Sequence, residues 1–207
     1  VEDRNGRIVP PTCCLTTRAY DLFVERAGLR AVIHHELGRK SFSDMRWEEV
    51  WDVALRIRNR FLRSPVPEEV RAELAEWLEA DLVDSELAVR SSAPGEDSEG
   101  ASFAGLHDSF VGVRGLEATV EAVRAVWASL WTDRALLYRK ELGIDPDSSA
   151  MAVVLQELVR GQVSGVGFSV HPAEPDLAVV EAVYGLNQGL VDGSIEPDRW
   201  IFERASG

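Results

Sequence analysis

Hydrophobic residues recur at helical spacing through much of the first 80 positions. Apolar residues three and four apart predict a helix that Thr16 or Thr17 caps and Gly28 ends. Residues 31–80 keep this spacing, with a break at 64–67 where two prolines occur. One apolar stripe is predicted to be core: Trp47, Val50, Trp51, Ala54, Leu55, Ile57 and Phe61.

From Leu82 onward, short apolar runs alternate with loops that contain glycine. Gly115 leads into a predicted helix, and Thr132 is predicted to cap a second one. Strands are predicted at 13–17, on both sides of a loop within 86–112, and near 150–159, 165–170, 177–183 and 198–203. Helices first, then strands mixed with helices, predict an α+β fold with a mostly antiparallel sheet.

The composition of the chain argues against a membrane protein and against a nucleic-acid-binding protein. The 207 residues, 45% of them hydrophobic, suffice for one core or for two small lobes that share one. No apolar run approaches the length of a membrane span, and no signal-peptide pattern opens the chain, so a cytoplasmic protein without membrane contact is predicted. A net charge of −13, from 35 acidic and 22 basic residues, argues against nucleic acid as a partner.

Two adjacent cysteines, Cys13 and Cys14, fall in a predicted strand. A disulfide between neighbours is strained, and no further ligands stand at a spacing that suits a metal. Both are therefore predicted to be small core residues, and no metal-binding residue is assigned in this chain.

One arginine stands out where a short apolar strand runs into a loop of small, polar residues. The planar guanidinium of Arg90 suits paired hydrogen bonds to phosphate oxygens, and a small-residue loop lets backbone N–H groups approach the same anion. The alternative is a surface hairpin in which Arg90 pairs with Glu96 or Asp97. The two common phosphate motifs, G-x-x-x-x-G-K-[ST] and G-x-G-x-x-G, do not occur.

Four ordered segments resemble the motifs of one family. They are Val9-Pro10-Pro11 with Leu15-Thr16-Thr17 and Ala19-Tyr20; Val89-Arg90-Ser91-Ser92-Ala93 with Glu96-Asp97 and Ala101-Ser102-Phe103-Ala104-Gly105; Trp131-Thr132-Asp133-Arg134-Ala135 with Tyr138-Arg139; and Val163-Ser164-Gly165-Val166-Gly167-Phe168-Ser169 with Tyr184-Gly185-Leu186. Together these resemble the ATP/pyruvate-binding domain shared by phosphoenolpyruvate synthase, pyruvate phosphate dikinase, rifampin phosphotransferase and the glucan water dikinases.

The resemblance implies an ATP-grasp arrangement, with ATP between two α+β lobes. Residues 1–207 would form a partial domain, namely the first lobe and part of the second, with a helical insertion at about 31–80. Arg90 would pair with ATP phosphates and act in catalysis, and Gly105 and Ser109 would present the loop to the same phosphates. Gln156 would stand at the edge of the adenine pocket, where backbone near Leu158 reads the base. The alternative for Gln156, from the residues alone, is a satisfied strand-end amide.

The chain departs from the family pattern in several places. Asn187 and Gln188 stand where relatives have glycine and glutamate, and we expect asparagine to keep the backbone path because it tolerates positive φ. No Gly-Gly-Lys segment precedes Val9. The Mg²⁺ carboxylates and the phosphohistidine domain of relatives lie beyond the matched motifs. The resemblance therefore implies a trimmed domain or truncated fragment whose Mg²⁺ ligands lie outside this chain, with a natural stand-alone protein as the alternative.

The implied activity is that of an ATP-dependent dikinase-type phosphotransferase, comparable to a pyruvate, water dikinase. ATP phosphorylates a carrier histidine on another domain of the same polypeptide, which passes the phosphoryl group to pyruvate or another small acceptor. This fragment alone is expected to be inactive. The alternatives are a rifampin-type antibiotic phosphotransferase, which shares the nucleotide domain, and a non-catalytic nucleotide-sensing module.

Overall fold

The computed structural model describes residues 9–82, 84–94, 105–171, 173–191 and 193–205. By its internal contacts the chain divides into two compact units, residues 1–158 and 159–207. Unit 1 contains a mainly helical core and a four-stranded sheet, whereas unit 2 contains a three-stranded sheet. This mixture of helices and antiparallel strands confirms the predicted α+β class.

Six helices of unit 1 supply most of its buried surface. They are α1 (Thr17–Arg26), α2 (Leu29–Leu37), α3 (Trp47–Arg63), α4 (Glu68–Asp81), α5 (Gly115–Ser129) and α6 (Asp133–Glu141). The Thr132 hydroxyl accepts a hydrogen bond from the Ala135 N–H at 3.2 Å, as its predicted capping role requires. Thr16 occupies the N-cap of α1 but makes no side-chain capping bond, so that part of the prediction is wrong. None of the described helices is both long and apolar enough to cross a membrane.

The apolar stripe of α3 is only half buried, which corrects the sequence prediction. Trp47, Trp51 and Leu55 are 66%, 49% and 43% exposed, respectively. Successive residues of a helix are about 100° apart around its axis. The four buried residues of the stripe therefore fall within roughly 60° around the axis of α3, whereas the three exposed residues lie on the adjoining part of its surface. Hydrophobic spacing therefore located the helix but overestimated the width of its packed face. The buried four are Val50, Ala54, Ile57 and Phe61.

Aromatic rings fill the centre of unit 1. Phe23 on α1 stacks on Trp127 of α5 with ring centroids 5.0 Å apart, and meets Phe61 edge-on at 5.6 Å. The buried indole N–H of Trp131 donates to the Tyr20 hydroxyl at 3.1 Å, so this polar group retains a partner inside the core. These contacts tie α1, α3 and α5 into one packed body.

The sheet of unit 1 is antiparallel throughout, in the order β1-β4-β2-β3. Its strands are β1 (Thr12–Leu15), β2 (Leu87–Ser92), β3 (Ser109–Val113) and β4 (Ala152–Glu157). Side chains alternate between its faces. We call the face packed against α1 and α5 the core face, and the opposite one the open face.

Register aligns one residue of each strand into a row across the core face. Leu155 and Val89 are fully buried at its centre, with Cys13 and Phe110 opposite them on the two edge strands. Burial raises the pKa of the Cys13 thiol above its ordinary value. Cys14 is exposed on the open face, so the prediction that both cysteines are core residues is wrong for Cys14. Adjacent strand residues point to opposite faces, so two neighbouring cysteines cannot both point into the core.

Unit 2 has strands at the three predicted places. They are β5 (Val163–Phe168), β6 (Leu177–Tyr184) and β7 (Asp198–Glu203), paired antiparallel in that order, with the short helix α7 (Gln188–Val191) between the last two. Val179 and Val183 on the central strand are buried. On β6 and β7, Glu181 and Arg199 are direct register partners, and their side chains form an ion pair.

Candidate functional site

Register brings two of the three predicted phosphate ligands together on the open face. Arg90 on β2 lies directly opposite Ser109 on β3 and Val154 on β4, and Val154 lies opposite Cys14 on β1. Directly opposed residues of an antiparallel pair have Cβ atoms about 5 Å apart. The Ser109 hydroxyl is therefore next to the base of the Arg90 side chain, although 19 positions separate these residues in the sequence.

Gln156 occupies the next row of the same face. It lies opposite Ala88 on β2 and Thr12 on β1, which makes it the diagonal neighbour of Arg90 at roughly 7–8 Å. Its side-chain N–H donates to the Thr12 hydroxyl at 3.0 Å. Leu158 follows β4 directly, and its backbone N–H donates to the Glu86 carbonyl at 2.7 Å. A base contact at Leu158 would therefore use another backbone group.

The guanidinium of Arg90 is exposed. No described residue gives it a hydrogen bond or an ion pair, whereas most arginines of unit 1 do have carboxylate partners. Glu96 and Asp97, the partners in the alternative interpretation, lie outside the described residues. Within the described part of the chain, the donors of the Arg90 guanidinium are therefore all available to an anion on the open face.

Three residues define the approach of the chain to β3. Gly105 has φ +70°, a left-handed conformation that side chains resist. His107 is 9% exposed, and Asp108 pairs with Arg58 of α3 at 3.4 Å. Since Asp108 precedes Ser109 directly, Arg58 offsets a negative charge beside the predicted phosphate ligands. The predicted loop residues 95–104 lie outside the described part of the chain.

Burial sets the charge state of His107. Desolvation is the main reason that its pKa falls from an ordinary 6.5 to about 4, and the nearby charges of Arg139 and Arg134 lower it further. Arg139 is itself buried and donates to the Leu130 carbonyl at 2.7 Å, and desolvation lowers its pKa to about 10. At neutral pH His107 is therefore an uncharged, buried side chain two residues before Ser109.

A cavity of about 730 Å³ lies beside β1, between α1 and α4, but its charge does not suit an anion. Its lining includes Arg18 and four carboxylates, those of Asp21, Glu25, Glu69 and Glu73. None of the five predicted site residues lines it. Coulomb repulsion would disfavour a polyphosphate there, so the open face around Arg90 is the better candidate for an anion site.

The glycine loop of unit 2 is held by hydrogen bonds around Gly185, and Asn187 does not have the positive φ that we considered for it. Gly185 has φ +75° and its N–H donates to the Gln162 carbonyl at 2.9 Å, while its own carbonyl accepts from the Ser164 hydroxyl at 2.6 Å. Among the described residues only glycines have positive φ, so Asn187 does not. Asn187 instead accepts the Val191 N–H on its carbonyl, at the start of α7.

Comparison with known proteins assigns the family. The family model described as "Pyruvate phosphate dikinase, AMP/ATP-binding domain" matches residues 3–207. The chain belongs to this family. It is 39% identical to the phosphoenolpyruvate synthase of Aeropyrum pernix over 97% of this chain and 25% of the relative. It is 37% identical to a rifampicin phosphotransferase of a Streptomyces species over 94% of this chain and 22% of the relative. The chain thus spans about a quarter of the length of these curated relatives.

Sequence reasoning missed the residues that support the site from elsewhere in the chain. Thr12 contacts Gln156 across 144 positions, and Arg58 contacts Asp108 across 50. No local pattern marks such pairs. The burial of His107 had one available signal, since the residue stands directly before the strand predicted to start at about Asp108, but alternation alone does not identify its buried surroundings.

Proposed function

We propose that this chain binds ATP on the open face of unit 1, and that it is the nucleotide-binding part of an ATP-dependent dikinase-type phosphotransferase of the phosphoenolpyruvate synthase kind. The observation that supports this most is the exposed guanidinium of Arg90, which has no partner among the described residues and lies on the strand position directly opposite Ser109. In a protein with a net charge of −13, such a site concentrates positive charge where an anion needs it. Membership of an AMP/ATP-binding family supports the identity of the anion.

In this proposal, different residues contact the phosphates and the base of the nucleotide. Arg90 holds phosphate oxygens through paired, charge-assisted hydrogen bonds and stabilises charge on the transferring phosphoryl group. Ser109 and the backbone following Gly105 contact the same phosphates. Gln156, in the neighbouring row, contacts the base together with a backbone group near Leu158. The ATP-grasp arrangement, in which a second lobe covers the nucleotide, belongs to the same proposal.

The remaining components of the reaction are proposed to lie in other parts of the whole protein. The described residues contain no cluster of three or more histidine, cysteine or acidic side chains able to hold a metal ion, so we derive no step through Mg²⁺ in this chain. A carrier histidine on another domain would take a phosphoryl group from ATP and pass it to pyruvate. Water takes up the second phosphoryl group, so that AMP, inorganic phosphate and phosphoenolpyruvate are the products.

A second acceptor is supported by one specific observation. The similarity to a rifampicin phosphotransferase is nearly as high as that to phosphoenolpyruvate synthase, at 37% against 39% identity. AMP formation by the whole protein, measured with pyruvate or with rifampicin as acceptor, distinguishes the two. ATP binding without AMP formation from either acceptor would favour a different small acceptor or the nucleotide-sensing module.

Calorimetric titration of the 207-residue chain with ATP and Mg²⁺ tests nucleotide binding. Arg90→Ala should weaken binding by about 2 kcal/mol, roughly thirty-fold in Kd, because it removes charge-assisted hydrogen bonds to phosphate. Arg60→Ala is the matched control, since Arg60 is an exposed arginine on α3 whose side chain has no hydrogen bond or ion pair with any described residue.

Equal weakening by Arg60→Ala and Arg90→Ala would mean that net charge, and not the site, attracts the nucleotide. Absence of any heat of binding for the unaltered chain would contradict the proposal outright. Phosphate release in the same solution should stay at background level, because the carrier histidine is proposed to lie on another domain.

A further inference from the structure

A short hydrogen-bond chain leads from β1 to the side chain of Gln156. The Gln156 Nε2 donates to the Thr12 Oγ1 at 3.0 Å, and the Thr12 Oγ1 donates to the Pro10 carbonyl at 2.9 Å. Thr12 and Gln156 are direct register partners on β1 and β4. Both bonds have ordinary lengths for their type.

This chain of bonds determines which end of the amide faces Thr12. A threonine hydroxyl has one proton, and here that proton goes to the Pro10 carbonyl. The Thr12 oxygen can therefore only accept from Gln156, so the NH₂ end of the amide must face it. The opposite orientation would bring two acceptors together. The Gln156 carbonyl Oε1 is then directed away from β1, and no described residue donates to it.

We propose that Thr12 is a positioning residue that makes this nucleotide site select adenine. The inference rests on the proposed function, because it takes Gln156 as the side chain at the base. With its NH₂ end held by Thr12, Gln156 offers the ligand an acceptor. Adenine carries an exocyclic amino donor on its Watson–Crick edge, whereas guanine carries a carbonyl acceptor at the same position. The fixed amide thus accepts from adenine and opposes guanine with a second acceptor.

Loss of the Thr12 hydroxyl should loosen this selection and leave the site otherwise intact. Thr12→Val keeps the shape of the side chain and suits a strand, but it cannot accept from Gln156. The amide can then rotate and present either end to the base. Phosphate contacts by Arg90 are unaffected, so binding continues while discrimination between bases falls.

The test compares three ligands on the 207-residue chain by calorimetry: ATP, GTP and purine riboside triphosphate, which lacks the exocyclic amino group. The unaltered chain should bind ATP about five-fold more tightly than purine riboside triphosphate, the usual contribution of one neutral hydrogen bond, and should bind GTP more weakly than either. In Thr12→Val the preference for ATP over purine riboside triphosphate should fall below about two-fold, and the penalty on GTP should shrink.

Two further variants separate positioning from a general structural effect. Thr12→Ser retains the hydroxyl and should restore the preference for ATP. Thr16→Val makes the same change at an exposed threonine that caps α1 without a side-chain bond, and should leave the preference unaltered. Unchanged selectivity in Thr12→Val, or a loss that Thr12→Ser does not restore, would overturn the role of Thr12 while the proposed function stands. Failure of the unaltered chain to bind ATP would overturn both.

Discussion

The two faces of the four-stranded sheet in unit 1 are built from the same strands but differ in role: one packs against the helices, and the other presents polar side chains. On the core face, Leu155 and Val89 are fully buried and pack against the helices. On the open face, the next residue of β2 is Arg90, exposed and opposite Ser109. A shift of one position along a strand thus separates a residue that stabilises the fold from one available for binding.

This arrangement has a physical consequence for how the molecule tolerates change. The core face derives its free energy from apolar area removed from water, which depends on shape and volume. The open face presents polar groups, such as Arg90 and Ser109, whose type and position matter for binding, although Ala88 on the same face is buried. Substitutions on the core face should therefore change the free energy of unfolding, whereas substitutions on the open face should change ligand binding.

The largest effect is expected at the centre of the core face. Leu155→Ala leaves a cavity in a fully buried position and should lower the free energy of unfolding by about 4 kcal/mol. Urea denaturation followed by tryptophan fluorescence measures this. Val154→Ala is the matched control one position away on the open face, where Val154 is only half-buried, and should cost less than half as much. Equal losses would show that the open face is also packed in the folded protein.

Stability should also fall as the pH is lowered from 6.5 to 4, through His107. In the unfolded chain His107 has its ordinary pKa of 6.5, whereas in the folded chain its pKa is about 4. Below pH 6.5 the unfolded state therefore binds more protons, and up to about 3 kcal/mol of stability is lost across this window. Urea denaturation at several pH values measures the slope.

His107→Asn should flatten this slope, because it removes the titrating group. His35→Asn changes an exposed histidine of α2, keeps His107, and should retain the slope of the unaltered chain. A slope that persists in full without His107 would mean that other groups carry the acid sensitivity. Glu49 should contribute only below about pH 4.5, because hydrogen bonds from Lys40 and the Arg46 backbone lower its pKa from an ordinary 4.5 to about 2.

A smaller effect is expected where the chain enters β3. Gly105→Ala places a side chain at φ +70°, and although the added Cβ has open space around it, the backbone strain should cost about 1 kcal/mol. Thermal unfolding measures the change. Gly105→Asn should cost less than the alanine variant, because asparagine tolerates the left-handed region better. An alanine variant as stable as the unaltered chain would show that this turn can relax.

The smallest change in stability is expected at Arg90. Its guanidinium has no partner among the described residues, so Arg90→Ala should alter the free energy of unfolding by no more than about 0.5 kcal/mol, while nucleotide binding weakens. Measuring unfolding and binding on the same variant gives the sharpest contrast with Leu155→Ala. A large loss of stability at Arg90 would remove the distinction between the two faces.

The local pattern of the sequence determined which elements form and approximately where they lie, although their bounds differ by a few residues: the strand predicted at 13–17 is β1, Thr12–Leu15. Alternation and glycine-bounded runs predicted the strands of both sheets, and helical spacing with a Thr132 cap predicted α5 and α6. Motif similarity identified Arg90, Ser109 and Gln156 as candidate ligands. Each of these signals is short in range, because backbone geometry repeats every two residues in a strand and every 3.6 in a helix.

Only the tertiary structure decided which residues meet across long distances and which apolar residues the core covers. The exposure of Trp47 and Trp51 depends on which helices pack against α3, and helical spacing does not encode that choice. The contact between Thr12 and Gln156 depends on the register between β1 and β4, which are neighbours in the sheet but lie near opposite ends of the sequence of unit 1. Strand pairing and helix packing are set by the free energy of the whole core, so the site's supporting contacts follow from the fold and not from any single motif.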